Sequence, residues 1–255
     1  MAMSTLKKTR GSRISKLCML ILIIGLSACA PRHIHYPPAM TTTLPSDAVN
    51  LYEEAFWRGC RFKISWPPET EINWAVDLLL AHAVVGPVLQ EHSKKLYWWR
   101  FHRRAAPDKT GHQFSFLFFS DSKVAAEIME DLRKSRILQE LLEEQIVEQI
   151  IFDDPDNPSF PKIESMSDPK WSPALQRNWP SYIMGVSSLW LGLIDDLKMH
   201  ATMDESNIRE LLENYRQVEA SITSMWYKEG QHAFLHHLNA IFGYEPMLII
   251  DALRF

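Results

Sequence analysis

The strongest pattern in the 255-residue chain is a two-residue alternation of polar and apolar positions. In LYWWRFHRR (96–104), Tyr97, Trp99 and Phe101 share one face, and Leu96, Trp98, Arg100, His102 and Arg104 share the other. HQFSFLFFS (112–120) sets Phe114, Phe116 and Phe118 against Gln113, Ser115, Leu117 and Phe119. Period two is the signature of a strand. The link AAPDKTG carries Pro, Asp and Gly, which favour a turn, so 96–120 is predicted to be a β-hairpin. IVEQIIF (146–152) predicts another strand. Arg61–Trp66 predicts a short one, ended by Pro67-Pro68.

Between and after these runs the period changes to that of a helix. A short helix is expected over Asp47–Trp57, capped by Ser46. Ile72–Leu89 has apolar residues at 72, 75, 76, 79, 80, 83 and 84, with Pro87 expected to end or kink it near Gly86. Asp121 or Ser122 caps a helix carrying Val124, Ile128, Met129 and Leu132, and a short turn of helix is expected at Ile137–Glu144. The fold class is therefore α+β: a small antiparallel sheet, hairpin 96–120 plus strand 146–152, packed with helices. Residues 153–178 hold five prolines and no period, and read as a long Pro-rich loop. The rest is helical. One helix is expected over Trp179–His200. A second is capped by Asp204 and stopped by Gly230, a third spans Gln231–Phe242 and is closed by Gly243, and a last one opens at Pro246 and runs through Leu253.

The front end follows a different logic. Lys7, Lys8, Arg10, Arg13 and Lys16 form a basic segment, and Leu17–Leu26 a ten-residue apolar one. That pattern is a signal peptide, expected over residues 1–28. Ten apolar residues fall short of the roughly 20 needed to span a bilayer core. Leu26-Ser27-Ala28-Cys29 resembles a lipobox, and the chain is identified as resembling a bacterial lipoprotein precursor. The resemblance implies that Leu26, Ser27 and Ala28 are recognised by the signal peptidase. It also implies that Cys29 receives diacylglycerol and then, as the first mature residue, an N-acyl group such as palmitate. Ala30, where an Asp would signal inner-membrane retention, implies the outer membrane, with the domain on its periplasmic face. A single acyl chain holds only marginally, whereas two or three anchor firmly. Residues 29–45, rich in Pro and Thr, then read as a tether, followed by one globular domain over 46–255.

Charge and cysteine content narrow the partners. Removing residues 1–28 takes away five basic and no acidic residues. The mature form thus carries 22 basic against 31 acidic residues, a net charge of about −9. Nucleic-acid binding rests on Lys and Arg neutralising phosphates, so nucleic acid is not an expected partner. Cys18 leaves with the signal and Cys29 is acylated. Only Cys60 remains, and the mature fold must stand without an intramolecular disulfide, with Cys60 expected to be a buried small hydrophobe.

Candidate chemistry is sparse. His232 and His236 lie four apart on a predicted helix and share a face, a spacing that can place two imidazoles on zinc or another transition metal. The residue after His232 is Ala233, where an H-E-x-x-H zinc site has its glutamate, and a third ligand would come from His200, Asp195 or Asp196. The competing reading makes these core histidines. Arg100, His102, Arg104 and His112 were expected to share one face of the hairpin, a cationic patch suited to an anionic ligand or a partner's carboxylates. No catalytic motif is present, so no catalytic residue and no obligatory cofactor is expected. The leading expectation is a non-enzymatic accessory, assembly or interaction factor that docks on an envelope protein. The alternative is a metal- or small-ligand-binding lipoprotein, or a hydrolase, using the His232/His236 helix.

Overall fold

The computed structural model describes residues 55–157, 160, 162–199 and 207–246. The expected signal peptide, the lipobox-like segment, the expected tether and most of the expected 47–57 helix lie outside them, as does the helix expected beyond Pro246. Four antiparallel strands form one sheet: β1 (Phe56–Ile64), β2 (Trp98–Ala105), β3 (His112–Ser120) and β4 (Val147–Phe152), in the order β2-β3-β1-β4. The α+β class and the hairpin are as expected. β1 is longer than expected and begins at Phe56, so the end of the expected 47–57 helix is strand instead. It is central, paired to β3 on one side and β4 on the other. Its pattern was hard to read because Arg58, a charged residue, is fully buried within it.

Helices cover one face of the sheet. α1 (Ala75–Leu79) runs without a break through a π-helical stretch (Leu80–Val85) into α2 (Gly86–His92). Pro87 therefore neither ends nor breaks the helix. It lacks the N–H that would bond the Ala83 carbonyl, and the wider π turn just before it accommodates that loss. α3 (Ser122–Arg133) is capped by Asp121, whose carboxylate accepts from Val124 N at 2.8 Å. α4 (Arg136–Glu143) is capped by Ser135. Phe62, Phe114, Phe116 and Phe118 meet Leu78, Leu79, Ile128, Met129 and Leu138 in the main core. Cys60 sits there too, fully buried, and burial pushes its thiol pKa far up, so it is an unreactive core residue.

The Pro-rich segment is shorter than expected because α5 (Pro173–Met199) starts six residues early. Pro173 suits a first helical turn, where its missing N–H costs nothing. Pro180 lies inside α5 and frees the Gln176 carbonyl, which accepts the Ser167 hydroxyl at 3.0 Å. The described residues between 153 and 172 thus form a strap fastened to both helix and sheet. Trp57 Nε1 donates to Ile163 O at 2.9 Å, and Trp57 N to Phe160 O at 3.1 Å. Trp57, Phe119, Trp98, Phe160 and Met166 form a small second core beneath it.

α6 (Ile208–Gly230) is capped by Asn207, which accepts from Arg209 and Glu210 N–H; Asp204, the expected cap, lies outside the described residues. Gly230 does not stop the helix. Its backbone is helical, and the chain continues through a π stretch (Gln231–His236) into α7 (His237–Ile241). A Cβ on Gly230 would stand 3.1 Å from the Trp226 ring, which stacks on Phe234 at 5.9 Å. This glycine serves close ring packing. Gly243 does close the helix, with φ +72°. No helix among the described residues is long and apolar enough to cross a membrane.

Candidate functional site: the outer face of the sheet

The strap covers only one end of the sheet face turned away from the helices. The other end is lined by every second residue of the four strands. In register, His102, Ser115, Arg61 and Ile151 form one cross-strand row, and Arg104, Gln113, Lys63 and Gln149 form the next. Arg100 stands beside Leu117 in the row above. Alternation thus gathers Arg61, Lys63, Arg100, His102 and Arg104 on one surface of a protein whose net charge is −4.

Most of these cations are already matched. Arg61 bonds Asp153 at 2.6 Å, Lys63 bonds Glu148 at 2.9 Å, and Arg104 bonds Asp108 in the hairpin turn. Arg100 differs. Its Nε is buried without a hydrogen-bond partner, and no carboxylate pairs with it among the described residues. Burial lowers its pKa from the ordinary arginine value, the mark of a cation held partly out of water. His102 next to it is exposed at the surface. Partial desolvation, followed by the Arg100 and Arg104 charges, holds its pKa below the ordinary imidazole value.

That shift has a sign. A folded-state pKa below the unfolded one means the unfolded chain takes up the proton first as pH falls. The contribution is present above the unfolded pKa, about 6.5, and is lost as pH falls through the folded value. We expect the urea midpoint to drop between pH 8 and pH 5.5. In His102→Gln the drop should be smaller, and an unchanged drop would remove His102 as its source.

His112 is not part of this face, contrary to the sequence expectation. It pairs with Ala105, one residue out of step with Arg104, so its ring points to the helices. There His112 Nε2 lies 2.8 Å from Asp77 Oδ2, and both side chains are fully buried. Arg103 Nε approaches the other carboxylate oxygen at 3.6 Å, and its guanidinium lies over the Trp74 and Trp190 rings at 4.7 and 5.0 Å. This is an interior ion cluster joining α1, the hairpin and α5. The His112–Asp77 pair itself is closed to solvent, whereas Arg103 is 30% exposed and lines a small cavity with Trp74 and Glu219.

His232 and His236 do come together, but at the surface. Their rings stack with centroids 5.1 Å apart and planes 18° apart, and His237 stands 5.2–5.3 Å from both. All three are exposed, so the core-histidine reading does not hold. Among the described residues, no group of three His, Cys, Asp or Glu is arranged to hold a metal ion. Of the suggested third ligands, His200 lies outside the described residues, and Asp195 is engaged elsewhere.

Asp195 belongs to a cluster that sequence spacing could not disclose. His82, on the π stretch, bonds Tyr215 OH through Nδ1 at 2.7 Å and Asp195 Oδ1 through Nε2 at 3.2 Å. The three line a cavity of about 570 Å³ with Trp99, Gln90 and Lys198. They are more than a hundred residues apart between His82 and either partner, so only the packing of α1, α5 and α6 unites them. The Tyr215 side chain is 1% exposed and spent on His82, which makes the cluster a three-helix tie.

No protein-family model matches this chain, and neither a curated protein nor a solved structure shows significant similarity to it. What the structure defines is a class: a helix-covered four-stranded antiparallel sheet with a cationic, partly uncovered outer face.

Proposed function

We propose that the protein is a lipoprotein held by acyl chains on Cys29 at the periplasmic face of the outer membrane. It acts there as a non-enzymatic accessory or assembly factor. Its outer sheet face docks an acidic segment of an envelope protein. The observation that carries the docking reading is Arg100, a half-buried cation without a counter-ion among the described residues, amid cations that have one. A planar guanidinium accepts a carboxylate in bidentate fashion, and a charge-assisted bond of this kind offsets the desolvation that Arg100 already bears. Long-range repulsion from the acidic body is screened beyond about 8 Å at physiological salt. The local cationic face therefore decides recognition at contact.

The test uses the full chain in intact cells. A photo-reactive residue in place of His102 should yield one crosslinked product, at least tenfold weaker when Arg100→Glu is added. Crosslinking that is indifferent to Arg100→Glu would sink the docking reading. In the same cells Cys29→Ser should abolish palmitate labelling and leave the signal uncleaved. Persistent labelling would sink the anchor.

A further inference from the structure

The cavity beside the His82 cluster has features that the three-helix tie does not use. One wall is α5, whose Ser188, Leu191, Gly192, Asp195 and Lys198 recur at helical spacing over about 15 Å. The π stretch and α2 form another wall with His82, Gly86 and Gln90, and Trp99 of β2 adds an indole. The volume of about 570 Å³ is that of a small-molecule site.

The hydrogen bonds already made show which polar groups remain for a ligand. The Asp195 carboxylate accepts from His82 Nε2–H, and His82 Nδ1 accepts the Tyr215 hydroxyl, so both ring nitrogens are used. Asp195 is committed through Oδ1 alone, at 3.2 Å, and no described residue bonds its Oδ2. The Gln90 amide and the Ser188 hydroxyl likewise have no partner among the described residues. The neighbouring Ser187 differs: its hydroxyl donates to the Ile183 carbonyl at 2.8 Å, the usual habit of a helical serine. Asp195, Gln90 and Ser188 are all exposed.

Two wall positions keep the cavity wide. Gly86 and Gly192 lie in helical runs, where glycine is less favourable than alanine. A Cβ on Gly192 would meet nothing within 4 Å, and one on Gly86 only the Ala81 carbonyl at 3.5 Å, an ordinary contact. Packing requires neither glycine, and a side chain at either would narrow the cavity.

The lining also selects the ligand. Asp195 and Lys198 carry opposite charges, so the walls favour an uncharged molecule over an ion. The groups left for bonding are one acceptor, the Asp195 carboxylate, and two that both donate and accept, Gln90 and Ser188. They stand on two walls, with apolar Trp99 and Leu191 in the same lining. A sugar ring has the matching pattern: hydroxyls around its rim, each donor and acceptor, and C–H faces that lie against an indole. An alkyl amine or a fatty acid has a single polar end. We propose that this cavity binds an uncharged carbohydrate of one or two rings, hydrogen-bonded by Asp195, Gln90 and Ser188 and resting on Trp99. The site is separate from the sheet face and does not rest on the docking reading.

The test is calorimetric titration of the full chain in a polyoxyethylene detergent, which carries neither sugar nor amine. The probes are maltose, cellobiose and diacetylchitobiose. At least one should bind with a Kd of about 1 mM or tighter. Gln90→Ala should weaken that binding roughly tenfold, the loss of one ligand hydrogen bond. Gly192→Leu should abolish it by filling the cavity, with the thermal midpoint unchanged or raised because leucine is the better helix former. No binding of any of the three sugars at about 10 mM would overturn the proposal. So would binding that Gly192→Leu leaves intact, which would put the sugar elsewhere. Dodecylamine is the rival probe: saturable binding of the amine without binding of a sugar would overturn the carbohydrate assignment.

Discussion

Arg58→Met is expected to destabilise the protein by about 3–5 kcal/mol, the range for breaking a buried, fully hydrogen-bonded charge site. Arg58 is 0% exposed in the central strand. Its donors reach four oxygen acceptors on separate parts of the chain. Nε and Nη2 bond Pro155 O at 3.0 and 2.5 Å, Nη1 bonds Ser120 O at 2.7 Å and Phe56 O at 3.3 Å, and Nη2 also reaches Ser122 Oγ at 2.9 Å. Burial lowers its pKa, while Asp121, Asp156, Asp153 and Asp154 act the other way from a distance. The guanidinium therefore ties the beginning of the strap to the end of β3 and the start of α3. Methionine fills much of the volume but leaves the Pro155 and Ser120 carbonyls without this donor. Two readouts separate this from a generic core defect. The urea midpoint should fall, and trypsin should cut after the exposed Lys162 and Lys170 at native conditions, where the parent resists. A stable variant with an intact strap would show that the carbonyls find other partners.

His112→Ala should cost a comparable amount, again about 3–5 kcal/mol, because it strips a fully buried carboxylate of its nearest partner. Asp77 would keep only Arg103, whose Nε is 3.6 Å from Oδ1 and which is itself held between two Trp rings. The cavity left by the imidazole adds to the loss. The distinguishing measurement is a double-mutant cycle. Asp77→Leu combined with His112→Leu removes both polar groups, and the pair should be less destabilising than the two single changes summed. Additive single effects would mean that the two residues contribute through packing alone.

Both residues show where sequence reading reaches its limit. Arg58 looks like a surface residue between Trp57 and Gly59, and its burial depends on carbonyls supplied by residue 120 and residue 155. His112 has the right residue type and lies close to the right register for the cationic face. A one-residue offset across the hairpin sends it to the opposite side. Arg100, His102 and Arg104 were placed correctly because i, i+2, i+4 on one strand needs no knowledge of a partner strand. Their companions Arg61 and Lys63 were not recognised, since they join only through the β1–β3 pairing. The His232/His236 pair was legible as a spacing. Its exposure was not, because nothing local says which side of a helix meets the core.

Alternation and helical period, which are local consequences of backbone geometry, were enough to determine the α+β class, the hairpin, a helix cap at Asp121 or Ser122 and the stop at Gly243. Composition gave the acidic balance and the expectation that Cys60 is a buried small hydrophobe, and residues 26–29 supply the lipobox resemblance on which the proposed anchor rests. Tertiary structure alone decided that β1 is central, that the Pro-rich segment is a strap, that Gly230 packs against rings instead of ending a helix, and that His82, Asp195 and Tyr215 meet. The division has one physical cause: dihedral preferences and periodicity act over a few residues, whereas a buried charge or a shared cavity depends on groups brought together from across the whole chain.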